Sequence, residues 1–174
     1  MRAARLLAAA VLLCVVAGCG AGGVEPKQWA KSVCTALAPW RAEIADLTVK
    51  AQQQLQAAKT PAQTKTNIVD LLAGAESASE KARAGVDGAG VPRVADGKKV
   101  AEQFTASLSK ARDAYGNAKR TVSGLPTADA KTFYAAVGSA FATLKDEYEH
   151  SAIDPARVGP ADLQQAFDEA AECR

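Results

Sequence analysis

At 174 residues the chain is long enough for one hydrophobic core and short for two. It carries 21 Lys and Arg against 19 Asp and Glu, and Arg2 and Arg5 account for the whole formal net charge of +2. Behind those two arginines the sequence is electrically neutral, so no net electrostatic footprint for nucleic acid or for anionic lipid is expected.

The apolar run from Leu6 to Val16 is about 11 residues long, within the roughly 7–15 of a signal peptide and short of the roughly 20 that span a bilayer as a helix. It closes on Val16-Ala17-Gly18-Cys19, small residues ahead of a cysteine. This ending resembles the bacterial lipobox. The resemblance implies cleavage just before Cys19, a diacylglycerol on its thiol and an acyl chain, such as palmitate, on the new amino terminus. Two or more acyl chains make a stable anchor where one does not. The alternative is an ordinary secretory signal cut a few residues later. The expected organisation is a lipoprotein signal peptide over 1–18, a lipid-anchored flexible spacer over 19–25 and a single helical domain over 26–174. The expected location is the extracytoplasmic face of the cell membrane, tethered but not spanning, or released outside the cell.

Cys14 leaves with the signal and Cys19 is taken by lipid, so Cys34 and Cys173 remain. In an exported domain two remaining cysteines are expected to form a disulfide; the alternative is a pair of inert or intermolecular thiols. Two cysteines and the lone His150 do not make the usual four-ligand zinc set, so neither a metal nor a cofactor is expected.

Pro26 suits the first turn of a helix. Trp29, Val33, Leu37, Trp40, Ile44, Leu47, Ala51, Leu55 and Ala58 then recur by threes and fours, one stripe of a helix reaching about Lys59, with Pro39 as a kink point. Thr60, Pro61 and Gln63 read as the capping box of a second helix, whose apolar face runs from Ile68 to Val86. The glycines before Pro92 close it. A third seam follows from Val94 to Val122 and stops at Gly124 and Pro126. Thr127 or Asp129 caps a fourth helix carrying Phe133, Val137, Leu144 and Tyr148, which reaches about His150. Leu163, Ala166 and Phe167 mark a short fifth helix leading to Cys173. The expected fold is all-α, an antiparallel four-helix up-down-up-down bundle with a short C-terminal helix. That topology returns the end of the fourth helix to the start of the first, where Cys34 and the fifth helix are also expected.

Chemistry is sparse. There is no Gly-x-Ser-x-Gly, phosphate loop or His-Glu-x-x-His, so no catalytic residues and no enzyme are expected. Glu76, Glu80, Asp146, Glu147 and Glu149 read as solvated helix faces, as does the Gln52-Gln53-Gln54 run, and His150 as a residue favouring a helix C-terminus. Gly74, Gly97, Gly116 and Gly138 interrupt helical stretches, either for close packing or to leave a groove for an apolar or amphiphilic ligand. Trp29 and Trp40 are 11 residues apart, which at about 100° per residue puts both indoles on one face about 16 Å apart. They read as core plugs or as stacking platforms for a ligand.

As a whole the chain resembles the small alanine-rich helical lipoproteins of high-GC Gram-positive bacteria. The carrying residues are Val16 to Cys19, Trp29-Ala30-x-x-Val33-Cys34, Gly90-Val91-Pro92 with Asp96-Gly97-Lys98, and Glu172-Cys173. The resemblance implies export and a tethered bundle, with no activity attached. The expected function is a monomeric, non-enzymatic envelope lipoprotein, partnered with the membrane through Cys19 and binding an unidentified envelope protein or component, without nucleic acid. The alternative is a ligand-binding or sensory bundle that captures a small amphiphile between helices.

Overall fold

The computed structural model describes residues 22–150 and 159–174. Residues 1–21, with the expected signal peptide 1–18 and Cys19, and residues 151–158 lie outside the described residues. Five helices follow one another: α1 Pro26–Ala57, α2 Pro61–Gly88, α3 Gly97–Gly124, α4 Ala130–Glu149 and α5 Ala161–Glu169, after which Ala171–Cys173 form a short 3-10 turn. None of them is long and apolar enough to cross a membrane.

The helix starts follow local chemistry. The Glu25 carboxylate accepts from Gln28 N at 3.1 Å ahead of Pro26. At α2 the Thr60 hydroxyl accepts from Gln63 N at 3.2 Å, while the Gln63 side chain accepts from Lys59 N at 2.8 Å, so two orphan donors are met reciprocally. Asp129 caps α4 by accepting from Thr132 N at 2.7 Å. α1 runs as one helix through Pro39, and both Pro39 and Thr35 lie on its exposed side, where water can meet the carbonyl that the missing N–H leaves without a helical partner.

Packing makes a helical bundle: α1 lies along α2, α2 along α3 and α3 along α4, with α5 and the 3-10 turn against α1. Two apolar clusters fill it. One joins Trp29, Val33, Ala82, Val86, Val100, Phe104, Leu163 and Phe167 from α1, α2, α3 and α5. The other joins Ile68, Leu72, Ala114, Ala118, Val122, Ala140 and Leu144 from α2, α3 and α4. The fourth position of the bundle is therefore shared. α4 covers the C-terminal half of α3, its last turn reaching Tyr115 through Tyr148 at a ring-centroid distance of 5.8 Å. α5 takes the fourth position at the other end. The helical bundle with its short C-terminal helix at the start of α1 is as expected; what is corrected is the end of the fourth helix, which stops beside the middle of α3 and leaves α5 alone to reach the start of α1.

A second correction concerns the spacer. Val24 is held on both sides by the α2–α3 turn: its N–H donates to Val91 O and its carbonyl accepts from Arg93 N, each at 2.7 Å. Residues 23–25 of the expected flexible spacer thus belong to the folded body.

Three of the four glycines singled out in the sequence mark close approach. A Cβ on Gly74 would sit 2.7 Å from Leu47 Cδ2, one on Gly116 2.8 Å from Glu76 Oε1 and one on Gly97 2.0 Å from Pro92 O, whereas Gly138 has open space. Gly138→Ala is therefore expected to stabilise by about 0.5–1 kcal/mol through the helix preference of alanine. Gly97→Ala, which drives a methyl into a backbone carbonyl, is expected to destabilise. Urea unfolding midpoints of the two variants, moving in opposite directions, check this.

Candidate functional site

The end of the bundle that receives the N-terminal segment gathers most of the residues singled out in the sequence. Trp29 is fully buried there, with its indole N–H donating to Gly90 O at 2.8 Å across the α2–α3 turn. Its ring meets Phe104 edge-on at 5.3 Å and Phe167 at 5.8 Å, and the two phenylalanines stack at 5.7 Å. No face of this indole is open to a ligand; it is a core plug that ties α1 to α3 and α5.

Trp40 lies three turns further along and is half-buried against the same cluster. Its N–H donates to the Ser79 hydroxyl at 3.1 Å, and that hydroxyl donates to Ala75 O at 2.8 Å. Ser79 is completely buried, so the pair satisfies a polar group inside the α1–α2 interface. Sequence reasoning missed Ser79, because a serine on a seam of alanines carries no periodicity signal of its own. The polar end of Trp40 opposite it was the available clue.

Cys34, on the buried side of α1, is bonded to Cys173 in the terminal turn, with Cα atoms 5.0 Å apart. Two ion pairs flank the bond on the outer surface, Lys27 with Glu169 at 2.7 Å and Lys31 with Glu172 at 2.9 Å. The hydrogen bonds from Lys27 and Lys31 hold the Glu169 and Glu172 carboxyls below the ordinary range. Both pairs are largely solvated and serve as guides for the C-terminal segment more than as a source of stability.

A groove runs along the α3–α4 seam. One depression of about 400 Å³ is lined chiefly by small side chains, including Ala118, Thr121, Ala136, Ser139 and Ala140. A second of about 400 Å³ continues it past Lys110, Asp113, Asp146 and His150. Asn117 and Glu147 line both and bridge the seam, Nδ2 to Oε2 at 3.3 Å. Gly138, offered in the sequence as a groove-former, lies on α4 with open space beside it, while Gly74 and Gly116 face a neighbouring helix and Gly97 faces the α2–α3 turn. The groove owes its shape to alanine and serine rather than glycine.

Charged residues on the α2–α3 face are arranged as a lattice. Glu80 accepts from Arg83 at 2.8 Å on its own helix and from Arg112 at 2.7 Å on α3, while Lys119 pairs with Glu76 one turn away. The Arg83 and Arg112 hydrogen bonds pull the Glu80 carboxyl down to about 2. Because the folded value is depressed, the contribution to stability is present above about pH 4.5 and is lost as the pH falls towards about 2. The fall in melting temperature across that window is expected to be shallower in Glu80→Gln than in the parent chain; equal slopes would assign the acid loss to other carboxylates. His150 is exposed at the end of α4 with Nδ1 2.7 Å from Asp146 O. Among the described residues no group of three or more His, Cys, Asp or Glu is placed to hold a metal ion.

Compared with known proteins, the chain matches no family model, no curated protein and no solved structure at a significant level.

Proposed function

We propose that this protein is a lipid-anchored, non-enzymatic module on the extracytoplasmic face of the cell membrane, where its helical body binds an envelope protein or other envelope component. The observation that carries the reading is the Val16-Ala17-Gly18-Cys19 ending of a basic, apolar leader, placed a few residues before the first contact of the folded body at Val24. The Cys34–Cys173 bond supports it, since disulfides persist in oxidising compartments. The likeness to small alanine-rich lipoproteins of high-GC Gram-positive bacteria points the same way. Side chains on the helix faces are organised as ion pairs and caps, which suits recognition by surface more than chemistry at a centre.

The α3–α4 groove favours a second reading, capture of a small amphiphile along the seam. Metabolic labelling with a fatty acid tests the anchor: label on the parent chain and none on Cys19→Ala is the expected result, and label retained by the variant would refute the assignment. Native mass spectrometry of the purified chain separates the two readings. A reproducibly bound small molecule supports capture, and an empty bundle that co-purifies with an envelope protein supports the first.

A further inference from the structure

We propose that the α2–α3 turn is the face this protein lays on an anionic lipid surface, so that the bundle stands end-on with Arg93, Lys98 and Lys99 against the headgroups. The proposal rests on Cys19 being the anchored residue, and deepens that reading by fixing which end of the body meets the membrane.

Covalent reach makes the first argument. Val24 is clamped between Val91 and Arg93 by two backbone hydrogen bonds of 2.7 Å, and a Cβ on Gly23 would touch Arg93 Cα at 3.0 Å. The segment that leads to Cys19 therefore leaves the body directly from this turn. Four residues lie between Cys19 and Val24, and the five steps from one to the other span about 18 Å at most when fully extended. α1 begins at the same place, and its 32 residues carry the opposite end of the bundle about 48 Å away. An anchor on so short a lead holds the turn near the bilayer and leaves the far end no such constraint.

Charge and shape make the second. In and just after the turn Arg93, Lys98 and Lys99 are exposed with Asp96 among them, while Glu25 beside Val24 and Asp87 at the end of α2 are the other exposed acids next to the turn. Arg93 and Lys98 line a shallow depression of about 610 Å³ together with Gly22, Val91, Pro92 and Val94, and Lys99 follows on the first turn of α3. Val91 is one of the few large apolar side chains left exposed, at 39%. Lys98 reaches Glu102 only at 3.7 Å on an open helix face, a pair that water and salt weaken readily. Arg93 and Lys98 beside an exposed valine match an interface of phosphate headgroups over acyl chains. Attraction of that kind acts within a screening length of about 10 Å, a distance the short lead keeps within reach. The chain as a whole is neutral beyond its leader, so the attraction is local to this face and needs the anchor to bring it to bear.

The test is lysine footprinting. The lipid-modified chain is reconstituted into phosphatidylcholine vesicles, with or without about a third of phosphatidylglycerol, and treated briefly with a membrane-impermeant amine reagent. Lys98 and Lys99 are expected to react about five-fold more slowly on the anionic vesicles than on the neutral ones, while Lys50 and Lys131, exposed elsewhere on the bundle, react equally on both. A chain that floats with the vesicles yet shows Lys98 and Lys99 as reactive as Lys50 and Lys131 overturns the orientation and leaves the anchor standing. A chain that lacks the acyl group and does not float overturns the anchor. In that event Cys14→Ala, coupled through the Cys19 thiol to a maleimide phospholipid, puts the same footprint question to the same tether, and the same two patterns decide it.

Discussion

Replacing Cys34 and Cys173 together by alanine is expected to lower the melting temperature by roughly 10–20 °C. The bond closes a loop spanning 139 positions, almost the whole folded body. In the chain-entropy model a loop of that length restricts the unfolded ensemble by about 5 kcal/mol, an upper figure that native strain reduces. For a domain of this size each kcal/mol moves the midpoint by about 2–4 °C. The native contacts around the bond do not replace it. Lys27–Glu169 and Lys31–Glu172 are solvated pairs, and the 3-10 turn buries none of its own side chains. α5, with Leu163, Ala166 and Phe167 buried, retains its docking surface in the variant, so the fold persists while its C-terminal edge opens more often. Thermal unfolding by circular dichroism measures the first effect, and amide exchange confined to α5 and the terminal turn measures the second. A midpoint shifted by less than about 3 °C would sink the idea that the closed loop is a principal source of stability.

The position of that bond illustrates what the sequence made legible. Periodicity located the helices because each buries one stripe, and the stripes of α2 and α3 are nearly unbroken from Ile68 to Val86 and from Val100 to Val122. Capping chemistry located the starts of α2 and α4, since Thr60, Gln63 and Asp129 make the bonds their types suggest. The ends joined by Cys34 and Cys173 followed from short connections. What periodicity could not supply was length against a neighbour. α4 has 20 residues beside the 28 of α3, so it stops short of the start of α1, and of the two helices expected to reach that end only α5 does so. The Val24 clamp was equally hidden. It consists of backbone bonds to a turn 67 residues or more away, and a backbone N–H and carbonyl leave no side-chain trace. The α3–α4 groove was illegible for a related reason, because alanines on a seam signify contact or space according to how far the partner helix stands off.

Trp29→Ala is expected to be the most destabilising single substitution in the chain, by about 3–5 kcal/mol. Trp29 is wholly buried, and α1 contributes no other aromatic to the Phe104–Phe167 stack, so truncation removes the packing partner of three helices at once. It also withdraws the donor that meets Gly90 O, at the turn whose flanking residues hold Val24. Trp29→Phe keeps a ring against Phe104 and loses that donor, and is expected to cost about 1–2 kcal/mol. Trp40→Ala should fall below Trp29→Ala by about 2 kcal/mol, because Trp40 is half-buried and Ser79 keeps its bond to Ala75 O in the variant. Urea unfolding followed by circular dichroism gives all three values. If Trp40→Ala proved the costlier, the centre of the core would lie in the α1–α2 interface and not at the aromatic stack. The expected order instead places the strongest packing at the end where Val24 enters, the disulfide closes and α5 docks. A body fixed most firmly there transmits any pull on its N-terminal segment into its core rather than into a fraying helix end.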